Sequence, residues 1–155
     1  MSLVLILGID ADTKSVAVVG LSRPHPDGPR SLDMQVRLLA KGRTAEDRFS
    51  RLTTHFASFM DVLAGAKLPS WVFIERPMLG PNAKSALDQM MVVGALRAVL
   101  LDYDVAHSLV DPGVWKKATI GNGHATKDEI RAWVCAKLGM SDDLEQDFYD
   151  AAAIA

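Results

Sequence analysis

The unbroken apolar run Leu3-Val4-Leu5-Ile6-Leu7, leading into Gly8-Ile9-Asp10, constrains this chain more than any other feature. An apolar stretch of that length, followed by the polar Ala11-Asp12-Thr13-Lys14 and resumed by Val16-Ala17-Val18-Val19, predicts a buried strand, a turn and an antiparallel return. A second apolar run, Trp71-Val72-Phe73-Ile74, ends in Glu75. Pro77 then blocks an ordinary central-strand continuation, because it has no ladder donor. Asp10 and Glu75 are therefore carboxylates at the ends of otherwise apolar strands. Near the C-terminus, Asp147 and Asp150 stand three residues apart, which places both on one side of a helix. Ala151 to Ala155 supply small and apolar positions on which that helix can pack. Strand ends and one helix face can together build a shared acidic site.

An all-carboxylate set suits hard cations such as Mg²⁺, which take oxygen ligands. Two such ions roughly 3.5–4 Å apart activate a water and stabilise the leaving oxygen of a phosphodiester. Taken singly, most Asp and Glu residues are solvated surface groups. Their place at the ends of apolar runs is what sets Asp10 and Glu75 apart.

The rest of the chain alternates strand and helix signals. Leu32 to Leu39 makes a third strand. Thr44 is placed to cap a helix in which Ala45, Phe49, Leu52, Phe56, Phe59 and Leu63 recur at three- and four-residue steps, a core stripe. His55 lies off that stripe and reads as an exposed helix residue, not a metal ligand. A helix from about Ala83 to Leu101 follows, then a last strand from Val105 to Val110, with Pro112 opening a short turn or helix. Thr126 is placed to cap a helix beginning near Lys127, whose N-terminal amides could face a phosphate. This alternation predicts an α/β architecture.

Several blocks, in order and spacing, resemble the RuvC-type Holliday junction resolvases of the ribonuclease H-like nuclease superfamily. They are Gly8-Ile9-Asp10, Ile74-Glu75, Asn82-Ala83-Lys84-Ser85-Ala86-Leu87, Lys116-Lys117 leading to Gly121-Asn122-Gly123-His124-Ala125-Thr126-Lys127, and Asp147-Phe148-Tyr149-Asp150-Ala151. The resemblance covers most of the chain. It implies a mixed five-stranded sheet flanked by helices, and a metal-dependent endonuclease that resolves four-way DNA junctions to 5′-phosphate and 3′-hydroxyl ends. By the same resemblance Asp10, Glu75, Asp147 and Asp150 hold two Mg²⁺ ions, with Mn²⁺ as a substitute, and Lys116 and Lys127 contact DNA. Lys117, Lys84, Arg76 and Met78 are further candidate DNA contacts around the acidic centre. The family helix matching residues 83–101 lies at a dimer interface, so Leu87, Met90, Met91, Gly94, Ala95, Ala98 and Leu101 are expected to face a second copy. This chain departs from the family in two places. Ala11-Asp12 stands where Pro-Gly usually follows the first aspartate, adding a fifth carboxylate as an outer-shell group or bystander. Met78 occupies a place often held by an aromatic that wedges against bases.

Length and composition bound these expectations. The 155 residues suit one domain, taken as residues 1–155, and 49% are apolar. No segment is long and uncharged enough to span a membrane, and no charged-then-apolar leader is evident. The lone Cys135 cannot form an intrachain disulfide and reads as a packing residue, which predicts a reducing, cytoplasmic setting. The Pro/Gly-rich stretch from Arg23 to Arg30 reads as a long hairpin loop. A net charge of −2 is unusual for a DNA-binding chain, but that sum includes the candidate metal ligands and the acidic cluster Asp142, Asp143 and Glu145. Three alternatives share parts of this pattern: a catalytically idle junction-binding module, a YqgF-type RNA-processing nuclease or broader branched-DNA nuclease, and an actin-like or sugar-kinase ATPase. The last would need a second lobe for which the chain is too short.

Overall fold

The computed structural model describes residues 4–24, 28–78 and 80–155. Five strands form one sheet in the order β3-β2-β1-β4-β5. Strands β1 (Val4–Ala11), β2 (Ser15–Arg23) and β3 (Ser31–Leu39) make an antiparallel meander. The turn at residues 12–14 is closed by the Asp12 amide donating to the Ser15 carbonyl at 2.8 Å. Strands β4 (Trp71–Glu75) and β5 (His107–Val110) then add parallel to β1, and parallel neighbours require crossover connections. Helices α1 (Ala45–Ala66) and α2 (Ala83–Asp102) supply them. Helices α3 (Pro112–Ile120), α4 (Lys127–Leu138) and α5 (Gln146–Ile154) complete the chain. The mixed five-stranded sheet flanked by helices is the α/β arrangement the sequence predicts.

Strand alternation divides the core into two. Leu5, Leu7, Ile9, Val16 and Val18 face α1 and α2, where they meet Leu52, Phe56, Met60, Val93 and Leu96. Ala17, Val19 and Leu21 face the other way and pack with Trp115, Ile130, Val134, Tyr149 and Ala151–Ala153. Burying each large aliphatic or aromatic side chain in such a layer contributes about 1.5–3 kcal/mol. The α1 stripe differs from the expected one at one step: Met60 is fully buried, while Phe49 and Phe59 are only half-buried. Both caps expected from threonine form. Thr44 and Asp47 make a capping box on α1, and Thr126 and Glu129 make one on α4. Cys135 packs against the second core as a free thiol. The Arg23–Arg30 loop lies in part outside the described residues, which omit 25–27.

One glycine decides how α5 sits. A β-carbon built on Gly8 would lie 1.9 Å from the Ala151 carbonyl oxygen and 2.8 Å from the Ala155 amide nitrogen. The α5 backbone therefore rests directly on β1, which only a residue without a side chain permits. Ala151, Ala152 and Ala153 are each at most 1% exposed, small enough for the same close approach.

Candidate metal centre

Alternation along β1 places Ile6, Gly8 and Asp10 on the face that carries α5. Asp10 lies within β1, one residue before its end, and not in the following turn. Its antiparallel partner is Ala17, whose own partner on β3 is Arg37, so one cross-strand row on this face reads Arg37, Ala17, Asp10. On the other side Ile9 pairs with Ile74, which puts Glu75, the last residue of β4, beside Asp10. Close packing of α5 on Gly8 then lays its first two turns over this row. Asp147 and Asp150 both lie in those turns.

The electrostatics record the convergence. The Asp10 carboxyl is pushed up to about 8, first by burial and then by the charges of Glu75, Asp150, Asp147 and Asp12. Burial also raises Glu75, outweighing the Trp115 hydrogen bond and the Lys116 ammonium, which pull it down, while Asp150 adds to the rise. Asp150 is raised by burial against the opposing pulls of Gln146, Lys116 and Lys127. Three of the four acids are individually held. Trp115 donates its indole N–H to Glu75 Oε2 at 2.6 Å, Arg37 Nη2 donates to Asp147 Oδ2 at 3.0 Å, and Gln146 Nε2 donates to Asp150 Oδ1 at 2.9 Å. Arg37 also pairs with Glu145 and lies over the Phe148 ring at 5.2 Å. It thereby fastens the start of α5 to the edge strand.

The donor set fits a hard divalent cation. It is all oxygen, with no thiolate or imidazole, and it gathers negative charge that a cation would neutralise. Among the described residues no three such side chains already stand close enough to chelate one ion. The acids are grouped closely enough to raise one another's proton affinity. Asp10 and Glu75 line an open cleft of about 210 Å³ together with Ala11, Pro77, Met78 and Gln89.

The remaining predicted contacts are distributed unequally. Lys116 and Lys127 are close enough to Asp150 to pull its proton affinity down, and Lys116 acts likewise on Glu75. Met78 stands at the cleft, 65% exposed. Lys117 is exposed on α3, and its carbonyl accepts the Gly121 amide at the helix C-terminus. Arg76 pairs with Asp111 at 3.2 Å and Lys84 with Asp88 at 3.1 Å, so each carries a local counter-charge. Asp12 is an outer group: its Oδ1 accepts from the Thr13 amide and from Gln89 Nε2. The Glu129 carboxylate accepts from the Thr126 amide at 2.7 Å, which brings an anion of the chain's own to the start of α4. His55 is exposed on α1, as expected. Arg37, Trp115, Gln146 and Gln89 were not legible as site residues. Only Gln146 carried a local signal, its four-residue spacing from Asp150 on one helix face.

The family described as crossover junction endodeoxyribonuclease RuvC matches residues 6–155. The chain belongs to the RuvC family. The RuvC of Chromohalobacter salexigens is 27% identical over 158 residues, spanning 99% of this chain and 80% of the relative. That of Porphyromonas gingivalis is 28% identical over 156 residues, spanning 97% and 79%. In structure, RuvC of T. thermophilus in complex with Holliday junction substrate aligns with a TM-score of 0.83 at 21% identity, covering 98% of this chain and 90% of that one. The yeast mitochondrial Holliday junction resolvase aligns at 0.63 and 12% identity, covering 96% and 76%. The RuvC fold is thus the fold of this chain, and its family is one of divalent-metal-dependent endodeoxyribonucleases.

Proposed function

We propose that residues 1–155 form a single nuclease domain that cuts four-way DNA junctions, with Asp10, Glu75, Asp147 and Asp150 as its metal ligands. The observation that carries this reading is the buried Asp10 carboxyl, raised to about 8 by burial and by four neighbouring acids. Such a concentration of charge beside a cleft is unfavourable in the protein alone and is relieved by a bound cation. Mg²⁺, with Mn²⁺ as a substitute and two ions expected per site, would be held by these four carboxylates and would supply Lewis-acid polarisation and activation of water.

The chain's own residues do the rest. Asp10, central in the row, would hold the cation at the middle of the set. Glu75 approaches from β4, and Asp147 and Asp150 from α5. Lys116 and Lys127 set positive charge beside an acidic centre that would otherwise repel a phosphate. Met78 offers a flexible apolar contact at the cleft in place of a rigid aromatic. On α2, Val92, Val93 and Leu96 pack in the core beneath the sheet, while Leu87, Met91 and Leu101 are 61%, 57% and 68% exposed. That second apolar face supports a twofold homodimer, whose two sites match the two strands cut in a four-way junction.

Substrate class is tested by binding in EDTA, with a labelled four-way DNA junction competed by forked DNA, linear duplex and structured RNA. The proposal predicts that unlabelled junction displaces the probe at the lowest concentration. Displacement by structured RNA at equal or lower concentration would move the chain to RNA processing.

A further inference from the structure

The geometry points to Trp115 as the positioning residue of the centre: its indole N–H fixes one oxygen of Glu75, and its ring steers the neighbouring Lys116 ammonium. This rests on the reading of Glu75 as a metal ligand. The 2.6 Å bond from Nε1 to Glu75 Oε2 is short even for a donor facing a carboxylate. Trp115 is 3% exposed and packed in the second core, so the donor has little freedom to turn away.

Its support is tied to the same strand end as Glu75. Glu75 pairs with Val110 across β4 and β5, and the Arg76 amide donates to the Val110 carbonyl at 2.9 Å. The Arg76–Asp111 ion pair then joins the residue after Glu75 to the N-cap of α3. The Trp115 amide donates to the Asp111 carbonyl at 3.1 Å, closing the circuit. Indole and carboxylate therefore move as one unit.

The chemistry follows from what an indole can do. It donates and cannot accept, so it favours the ionised carboxylate over the neutral acid. With Oε2 engaged, Oε1 is the oxygen left for a cation. On the ring face, the Lys116 ammonium lies 5.6 Å from the centroid, which favours keeping that cation beside the site. A buried tryptophan that merely satisfies its N–H would have the same packing but no effect on metal binding.

The test uses the full chain labelled with ¹⁵N, in which Trp71, Trp115 and Trp133 give three indole signals, assigned with Trp71→Phe and Trp133→Phe. The Trp115 signal should lie downfield of the others and move both in Glu75→Gln and on titration with Mg²⁺. Trp115→Phe keeps an aromatic ring but loses the donor, and should weaken Mg²⁺ binding about ten-fold. It should lower kcat while leaving the KM for junction DNA close to wild type. Trp133→Phe, in the same helical layer but away from the acids, should leave both unchanged. A Trp115 signal indifferent to Glu75→Gln, or Mg²⁺ binding unchanged in a folded Trp115→Phe, would overturn the assignment. If Trp115→Phe does not fold, the wild-type and Glu75→Gln spectra still decide. A signal that moves with Glu75→Gln but not with Mg²⁺ would keep the hydrogen bond, remove Glu75 from the metal ligands and so overturn the positioning role.

Discussion

Asp10, the central proposed metal ligand, opposes the fold that presents it. Its carboxyl binds a proton far more tightly in the folded protein, at about 8, than at its ordinary 3.8. The folded state therefore holds the extra proton, and without metal this favours folding fully at low pH and is lost as pH rises from about 4 through about 8. At about 1.4 kcal/mol for each tenfold change in proton affinity, the loss is on the order of a few kcal/mol. Thermal unfolding in EDTA should show Tm falling across that window, and Asp10→Asn should flatten the fall and raise Tm at pH 8. A variant less stable than wild type in EDTA at pH 8 would contradict the charge crowding. Saturating Mg²⁺ should raise the wild-type Tm more at pH 8 than at pH 6, because protons compete for the same oxygens. The four acids themselves were legible because each ends an apolar run or shares a helix face. Their partners were not. Arg37 and Asp147 are 110 residues apart, and only the register Asp10, Ala17, Arg37 brings that guanidinium to α5.

At the scale of elements, the site depends on α5 lying flat on β1, and that depends on Gly8. Gly8→Ala must displace either the Ala151 carbonyl or the strand, because the added carbon would sit 1.9 Å from that oxygen. The expected cost is roughly 1–3 kcal/mol or more in chemical denaturation. Cleavage should fall further than stability alone explains, since Asp147 and Asp150 move with the helix. Unaltered stability and activity would mean that α5 does not pack this closely. The first hairpin, the three later strands, the main helices and the threonine caps of α1 and α4 could be read from apolar periodicity and cap chemistry. Finer features follow from tertiary packing. The α1 stripe takes Met60 in place of Phe59 because the sheet meets the helix along Leu52, Phe56 and Met60. Gly8 reads in sequence as part of a Gly-Ile-Asp motif. Its steric role emerges only once α5 is in place.

For the molecule as a whole, charge is arranged by position more than by sum. A net charge of −2 coexists with lysines beside the acids and with a family that acts on DNA. Lys116→Ala or Lys127→Ala should weaken junction binding and reduce the slope of log K against log salt by about 0.9 for each phosphate that the lysine neutralises. An unchanged slope would show that the lysine in question does not touch the DNA backbone. No helix of the described residues is long and apolar enough to cross a membrane. The four carboxylates are proposed to make one divalent-metal nuclease centre for branched DNA. The most direct test is cleavage of an end-labelled four-way junction by wild type and Asp10→Asn, each in Mg²⁺, Mn²⁺ and EDTA. Paired, symmetric nicks are predicted for wild type with either metal and for neither protein in EDTA, with Asp10→Asn inactive but still binding the junction. Cleavage by Asp10→Asn, or by wild type in EDTA, would contradict the account.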